Sequence, residues 1–547
     1  MTSSLAAVPK SIVEPTGPYN WIEIFKFTRL CVTWIALIFL PVWLACWAVG
    51  ELPTLIVLAT TQGSAPSETA TAVVEVLQAL VPITAVMVFI PINAMFMVLC
   101  ERRALALFTV RKGPNRVGPD GLLQTAADAV KLLFKEDITP TGADPVMFTL
   151  APILFFAPSI FGAMPLLAAV TFNHPLFQTM QLPTGIFFVL AMAAIPTVAL
   201  VMGGWASNNK YSLVGGLRSA AQAISYEIPL VMAIITTCYM AMGSPAEAGG
   251  YNPLDVVHIA ILQNIRTTDA ATSIAQLQEL PSQYVFTKPD TPIPPVAGVM
   301  GQPTRVPAAP RSPGFLHWNV FGPKILDKDT QQLRGVLEFD WKAAISDPGR
   351  AVSTAFAHLP HIIAAVLLAI CSFLLMGVYL IGACAEINRI PFDLPEAESE
   401  LVSGYNTEYS GIKFAIFFLA EFTNLFIVAT IATVMFFGGG ASPIPGFLDP
   451  WAFQKAFVWI GGILASANVS TDFARILGSL LNPVTLSQWF WAVVKVYSIV
   501  IFAILVRGTL PRFRIDQLMD FSWKRLIPLS LVLFLAVAFL TEFVSHG

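Results

Sequence analysis

The chain has 547 residues, 56% hydrophobic and 12% charged, with a formal net charge of −3 and a mean hydropathy of +0.70. Soluble domains carry about 25% charged residues, so this composition excludes an ordinary water-soluble fold. Lipid must be the solvent for much of the apolar surface.

A helix needs about 20 apolar residues to cross about 30 Å of hydrocarbon. Nine runs qualify in chain order: Leu30–Gly50, Leu77–Cys100, Val146–Val170, Gly185–Ala206, Ala220–Gly243, Leu359–Ala385, Phe414–Phe437, Leu486–Val506 and Leu526–Thr541. Backbone polar groups in lipid must bond within the segment, so runs of this length predict helices rather than barrel strands. The expected fold is an all-α, polytopic transmembrane helical bundle of about nine spans. Ala456–Ala467 is shorter and glycine-broken, and reads as interfacial. Lys26 and Arg29 precede the first run, but some thirty residues lie ahead of it, longer than a signal peptide's n-region. That run is therefore read as a retained span.

Basic residues set the orientation. The stretch after the second run holds Arg102, Arg103, Arg111, Lys112, Arg116, Lys131 and Lys135, and the one after the eighth holds Arg507, Arg512, Arg514, Lys524 and Arg525. Glu51–Glu75 and Thr171–Pro183 contain no Lys or Arg. Nine alternating spans put both basic stretches inside, the N-terminus inside and the C-terminus outside. Four regions follow: 1–76 with an added N-terminal helix, 77–250 with helices and a cytoplasmic amphipathic helix, a proline-rich outer insertion at 251–345, and 346–547 with helices and an acidic inner loop. Pro281–Pro323 carries ten prolines in 43 residues, which rules out a continuous helix there.

Within the 77–250 region, Glu101–Asp137 reads ERRALALFTVRKGPNRVGPDGLLQTAADAVKLLFKED. Pro114, Gly118 and Pro119 make a turn. Leu122, Leu123, Ala126, Ala127, Val130, Leu133 and Phe134 then recur at helical spacing, with Gln124, Asp128, Lys131 and Lys135 on other faces. Such a helix suits the membrane surface, as an anchor for anionic lipid or as one wall of an opening from the bilayer. Further on, Ser207–Leu230 is a short inner loop feeding Glu227, and its Gly215, Gly216, Ala220, Ala221 and Ala223 permit close helix packing.

Acidic residues concentrate beyond the sixth run. Glu386, Asp393, Glu396, Glu398, Glu400, Glu408 and Glu421 fall within 36 positions, offset by Arg389 and Lys413. Pro391 and Pro395 break the preceding helix, and Glu396 and Glu400 share a face at i,i+4. A charge run is usually a solvated surface. Here, however, Glu386 closes one span, Glu421 lies inside the next, Glu227 sits within the fifth and Lys495 near the middle of the eighth. Ionisable groups at bilayer depth cost a few kcal/mol, face a polar interior and mark ion or proton pathways. Lys495 reads equally well as a counter-ion for one of these carboxylates.

The six cysteines, Cys31, Cys46, Cys100, Cys238, Cys371 and Cys384, form no CxxC pair and sit in or beside apolar runs. That spacing suits neither an iron–sulfur cluster nor a zinc site, and they read as small buried hydrophobes. No glycine-rich phosphate loop is present either. No redox cofactor is expected in this chain.

Together ERRALALFTVRKGPNRVGPDGLLQTAADAVKLLFKED, GGWASNNKYSLVGGLRSAAQAISYE, AEINRIPFDLPEAESELVSGYNTEYSGIKF and RGTLPRFRIDQLMDFSWKRLIPLSL resemble the H-type membrane subunits of NADH:quinone oxidoreductase, respiratory complex I, the family that builds its quinone chamber. The phrases stand in the family's order and cover roughly 350 residues from Leu77 onward. The resemblance implies eight family spans, with Leu30–Gly50 an added ninth, and an outer insertion longer than usual. It also implies that quinone enters a chamber built largely by this chain. FMN and iron–sulfur clusters would belong to partner subunits, namely a hydrophilic iron–sulfur arm, and antiporter-like membrane subunits would adjoin. Other expected partners are lipid and quinone, with no nucleic acid. Arg102, Asp128, Arg389, Asp393, Glu396, Glu398 and Glu400 would line the chamber or its inner loops. Glu101, Glu227, Glu386 and Glu421 would form the carboxylate path, with Lys495 added from its depth in the eighth span. The expected location is the bacterial plasma membrane, with an organellar inner membrane as the alternative.

Two other readings stand beside this one. The related membrane subunit of energy-converting hydrogenases lacks an intact PFDLPEAE with the GY…EYSG continuation, and this chain has both. A proton-coupled secondary transporter usually shows two related halves with broken helices, and the hydropathy here has no such symmetry.

Overall fold

The computed structural model describes residues 68–109, 111–118, 121–170, 182–242, 254–256, 324–327, 332–335, 359–395, 401–444 and 483–546, with Arg29 and Ile259 as isolated positions. The expected first span Leu30–Gly50, the segment Ala456–Ala467 and the acidic residues Glu396, Glu398 and Glu400 lie outside them.

The described chain is helical. In order it forms α1 (Glu68–Phe108), α2 (Gln124–Phe134), α3 (Pro145–Val170), α4 (Gly185–Ala206), α5 (Lys210–Met242), α6 (Leu359–Glu386), α7 (Gly411–Phe436), α8 (Pro483–Thr509), α9 (Ile515–Phe521) and α10 (Ile527–His546). Two four-residue strands, β1 (Lys324–Asp327) and β2 (Gln332–Gly335), pair antiparallel inside the proline-rich insertion. Seven of the described helical segments are long and apolar enough to cross a membrane, so the protein is membrane-embedded. The count of about nine is not reached among the described residues.

Helix bounds differ from the apolar runs where polar residues find partners. The second run was expected to end at Cys100, but α1 continues to Phe108. The extension holds because Glu101 is buried in ion pairs and Arg103 donates to the Pro114 carbonyl at 3.0 Å. Likewise α5 begins at Lys210 rather than Ala220, so the expected short inner loop is its first turns. Serines there, Ser212 and Ser219, are fully buried. Pro391 and Pro395 act as expected, and α6 stops at Glu386 before them. At the C-terminal end, α9 and α10 join through a π-helical turn, Ser522–Leu526, making one run longer than the apolar stretch alone. Cys100 and Cys238 are buried, and Cys371 and Cys384, partly buried, pack against the apolar core; Cys31 and Cys46 lie outside the described residues.

Helix α3 packs on α4 and α7; α5 packs on α4, α6 and α10; α7 also meets α8 and α1. Small residues permit the tightest crossings, as anticipated at Gly215 and Gly216. A Cβ on Gly216 would lie 2.9 Å from the Leu200 carbonyl oxygen, and one on Gly215 would lie 2.8 Å from both Gly404 Cα and Tyr405 N. The second approach brings the short 3₁₀ turn Gly404–Asn406 onto α5. One apolar core runs through α1, α5, α6, α7, α8 and α10. A smaller one gathers Phe148, Phe155, Tyr405, Tyr409 and Phe417, where Phe148 and Tyr409 stack with centroids 4.1 Å apart.

Candidate functional site

The polar centre of the molecule is an ion cluster that sequence order does not foreshadow. Glu101 comes from the last turns of α1, Arg389 from the loop after α6, Glu421 from the third turn of α7 and Arg507 from the end of α8. Arg389 Nη1 donates to Glu101 Oε2 at 3.2 Å, and its Nη2 stands 3.8 Å from Glu421 Oε2. Arg507 donates to the other oxygen of Glu101. Tyr405 donates its hydroxyl to Glu421 Oε1 at 2.7 Å. The guanidinium of Arg389 also lies over the Phe422 ring, 4.2 Å from its centroid, a favourable cation–π geometry.

Arg389, Glu101 and Glu421 are each less than a tenth exposed. Burying a charge is costly unless it is paired and hydrogen-bonded. Two arginines and two carboxylates balance here, and the planar guanidinium of Arg389 serves two carboxylates at once. Arg389 was expected among the chamber residues and Glu101 and Glu421 on the carboxylate path; the structure brings all three together.

Of the other expected chamber residues, Arg102 and Asp128 lie nearer the surface. Arg102 pairs with Asp128 at 2.5 Å, the arginine side chain 44% exposed, and Gln124 donates to the same carboxylate at 3.3 Å. Helix α2 is thereby tied to α1. Its apolar residues Val130, Leu133 and Phe134 are exposed, as an amphipathic helix at a membrane surface requires. Asp393, buried, receives Arg512 at 3.1 Å.

Between α3, α4, α5, α6 and α7 lies a cleft enclosing about 810 Å³ of empty space, its mouth included. Glu386 and Glu421 both line it, with Asn388, Asn424, Ser159 and Thr197 supplying polar atoms among apolar walls. Ser159 donates to Asn424 at 2.6 Å. Glu227 is half-buried on α5, the helix that also lines this cleft through Ala223 and Leu230. The cleft thus joins Glu421, at one end of the ion cluster, to Glu386.

Lys495 meets the end of α7. Its ammonium donates to the carbonyls of Phe437 and Gly439 at 2.6 and 2.8 Å. These carbonyls end α7, where Gly438 and Gly439 take positive φ. A cation at a helix C-terminus meets the negative end of the helix dipole, which accounts for a buried lysine at that point.

Arg507, Arg512, Tyr405 and Gln222 were not singled out by reading the sequence as site residues. For Arg507 a signal existed, since it ends an apolar helix. Tyr405 lies in the GY…EYSG phrase, which marks the family but not the contact with Glu421; Gln222 carries no signal, because its partners Ala385 and Phe392 are distant in sequence. Among the described residues no group of three or more His, Cys, Asp or Glu side chains is placed to hold a metal ion.

The sequence profile of the NADH dehydrogenase family matches residues 81–280 and 350–538. The NADH-quinone oxidoreductase H subunit 2 of Cytophaga hutchinsonii is 32% identical over 450 residues, covering 82% of this chain and 95% of that protein. The corresponding H subunit of Brevibacillus brevis is 32% identical over 445 residues, covering 81% of this chain and 87% of its own. The H subunit 2 of Koribacter versatilis is 30% identical over 459 residues, covering 81% and 91%. The first span and most of the outer insertion fall outside the two matched blocks, whereas the ion cluster and cleft fall inside them. With this coverage and identity the chain belongs to the family of H-type membrane subunits of NADH-quinone oxidoreductase.

Proposed function

We propose that this chain is the membrane subunit of a proton-translocating NADH:quinone oxidoreductase that forms the quinone-access chamber and links quinone reduction to a carboxylate proton path. Quinone is the substrate, and the chain itself carries no cofactor. Its partners are the hydrophilic iron–sulfur arm, which holds FMN and the clusters that deliver electrons from NADH, and antiporter-like membrane subunits. The bacterial relatives favour the plasma membrane as its location.

The observation that carries this reading is the continuity from Arg389 to two membrane carboxylates. Arg389 bridges Glu101 and Glu421, and Glu421 shares a cleft with Glu386. A quinone that gains two electrons must take up two protons to become quinol, and negative charge develops before they arrive. Asp393 and Arg389 lie in one short loop, so a charge arriving beside Asp393 is felt by the guanidinium that holds Glu101 and Glu421. A shift of Arg389 changes how well each carboxylate is compensated, and so whether it holds a proton. Arg102, Asp128, Arg512 and Asp393 shape and neutralise the inner mouth. Glu396, Glu398 and Glu400 belong to the same acidic loop by sequence. Coupling to quinone rather than hydrogen is supported by the names of the relatives.

The test replaces Glu386 or Glu421 by Gln, which keeps size and hydrogen-bonding capacity but cannot release a proton. In the assembled complex, quinone-linked turnover and proton translocation should fall together, while NADH oxidation by a hydrophilic artificial acceptor continues. The Asp variants should recover part of both. Wild-type turnover and pumping in both Gln variants would refute the proposal.

A further inference from the structure

The loop that carries Arg389 and Asp393 has little structure of its own. After α6 ends at Glu386, Asn388 adopts φ of 53°, and the backbone bonds inside the loop are short-range turns from Asn388, Arg389, Phe392 and Leu394. Its shape is therefore imposed from outside. One wall is the chain between α8 and α9, where Phe513 N donates to the Pro391 carbonyl at 3.1 Å, Phe513 stacks on Phe392 and Arg512 holds Asp393. The other wall is a face of α5.

That face consists of Ser219, Gln222 and Tyr226, spaced three and four residues apart and so aligned on one side of the helix. All three are almost fully buried: Ser219 is 0%, Gln222 1% and Tyr226 0% exposed. Tyr226 packs its ring against Phe392 with centroids 5.5 Å apart. Asn388 donates to Ser219 Oγ at 3.4 Å. Between them the Gln222 amide nitrogen lies 2.6 Å from the Phe392 carbonyl, 2.7 Å from the Ala385 carbonyl and 3.1 Å from Asn388 Oδ1. All three neighbours are acceptors, which dictates that the NH₂ end points at them. The Gln222 Oε1 has no hydrogen-bond partner among the described residues.

We infer that Gln222 is a positioning residue for the coupled reaction. Its amide clips the last turn of α6 and the loop beyond it to α5, one and a half turns before Glu227. The contact spans the whole loop, from Ala385 before Arg389 to Phe392 beside Asp393. Arg389 is thereby held where it reaches Glu101 and Glu421, and a movement of the Asp393 end is passed to the helix that carries Glu227. The inference rests on the proposed chamber and proton path, and it deepens that reading by naming the joint between them.

The experiment uses the intact membrane complex, with assembled enzyme counted by NADH oxidation with a hydrophilic artificial acceptor. Gln222→Met is close to isosteric and has no donor, so quinone-linked turnover per assembled complex should fall by about tenfold or more. Gln222→Glu supplies a pH readout. As a carboxylate it offers acceptors to three acceptors, but as a neutral acid it donates one O–H. Burial at this site favours the neutral acid, so its turnover relative to wild type should rise roughly threefold or more from about pH 8 to about pH 6, while the Gln222→Met ratio stays flat. The charged groups on the elements packed against this contact are Glu227 on α5, Glu386 on α6, Arg389 and Asp393 in the loop and Arg512 beyond α8; dividing by wild type removes the titration they show there. Normal turnover in Gln222→Met, or a ratio in Gln222→Glu that is both low and flat, would overturn the inference, as would failure of both variants to assemble. Should only Gln222→Met fail to assemble, the pH ratio of Gln222→Glu decides. Arg389→Ala measured alongside separates the two levels: if it is inactive while Gln222→Met is normal, only the joint is wrong. If both are fully active, the chamber-to-path reading itself fails.

Discussion

Replacing Arg389 by methionine tests the ion cluster most directly. The side chain keeps comparable length and apolar bulk against Phe422 but loses the charge. In the native cluster two cations face two carboxylates. The variant leaves Arg507 as the cluster's remaining arginine for both Glu101 and Glu421, a net change of one buried charge. At an effective dielectric near 20 a unit pair about 4 Å apart attracts by about 4 kcal/mol, and Arg389 makes contacts of 3.2 and 3.8 Å. Desolvation offsets much of that gross attraction. Breaking a buried pair by removing one partner costs about 3–5 kcal/mol. Glu101 keeps Arg507 and Glu421 keeps Tyr405, which favours the low end of that range, about 3 kcal/mol. That corresponds to roughly a hundredfold in an equilibrium constant. If the native arrangement of this cluster is needed for turnover, quinone reductase activity per assembled complex should fall by roughly that factor. Arg389→Lys should lose less, since it keeps the charge but not the two-armed geometry. Quinone reduction, proton translocation and reduction of a hydrophilic acceptor are measured on the same preparation. Normal quinone reduction by Arg389→Met, with normal thermal stability, would refute the reasoning.

Two milder perturbations report on the same centre. Tyr405→Phe removes one buried hydrogen bond to the Glu421 carboxylate, worth about 1.5–3 kcal/mol, and should reduce quinone-linked turnover less than Arg389→Met; equal or greater loss would contradict the ranking. Gly215→Ala forces a Cβ to within 2.8 Å of Gly404 and Tyr405 backbone atoms, so α5 and the 3₁₀ turn must separate, at about 1–3 kcal/mol. A lower unfolding temperature of the purified complex together with reduced turnover is expected, and an unchanged unfolding temperature would show that the crossing yields freely.

Hydropathy alone determined that this chain lives in lipid and where most of its helices lie. Gly185–Ala206 coincides with α4 to the residue, because a segment surrounded by hydrocarbon has to satisfy its own backbone and its composition announces that. The phrases around Glu101, Glu227, Arg389 and Glu421 were likewise legible as a family pattern, and the family match agrees with them. The partnerships were not legible. Arg389 lies three residues from Glu386 and four from Asp393, yet it reaches Glu101 and Glu421, the first of them 288 positions away. Nor did the sequence show that the Lys495 ammonium closes the end of α7 through two carbonyls. The extension of α1 past Cys100 and the early start of α5 escaped the apolar pattern for the same reason. A charged or polar residue can continue a helix only where another element meets it, and periodicity within one segment carries no information about that element. Composition follows from the solvent around each helix, whereas the ion cluster, the cleft and the Gln222 contact follow from which helices lie side by side.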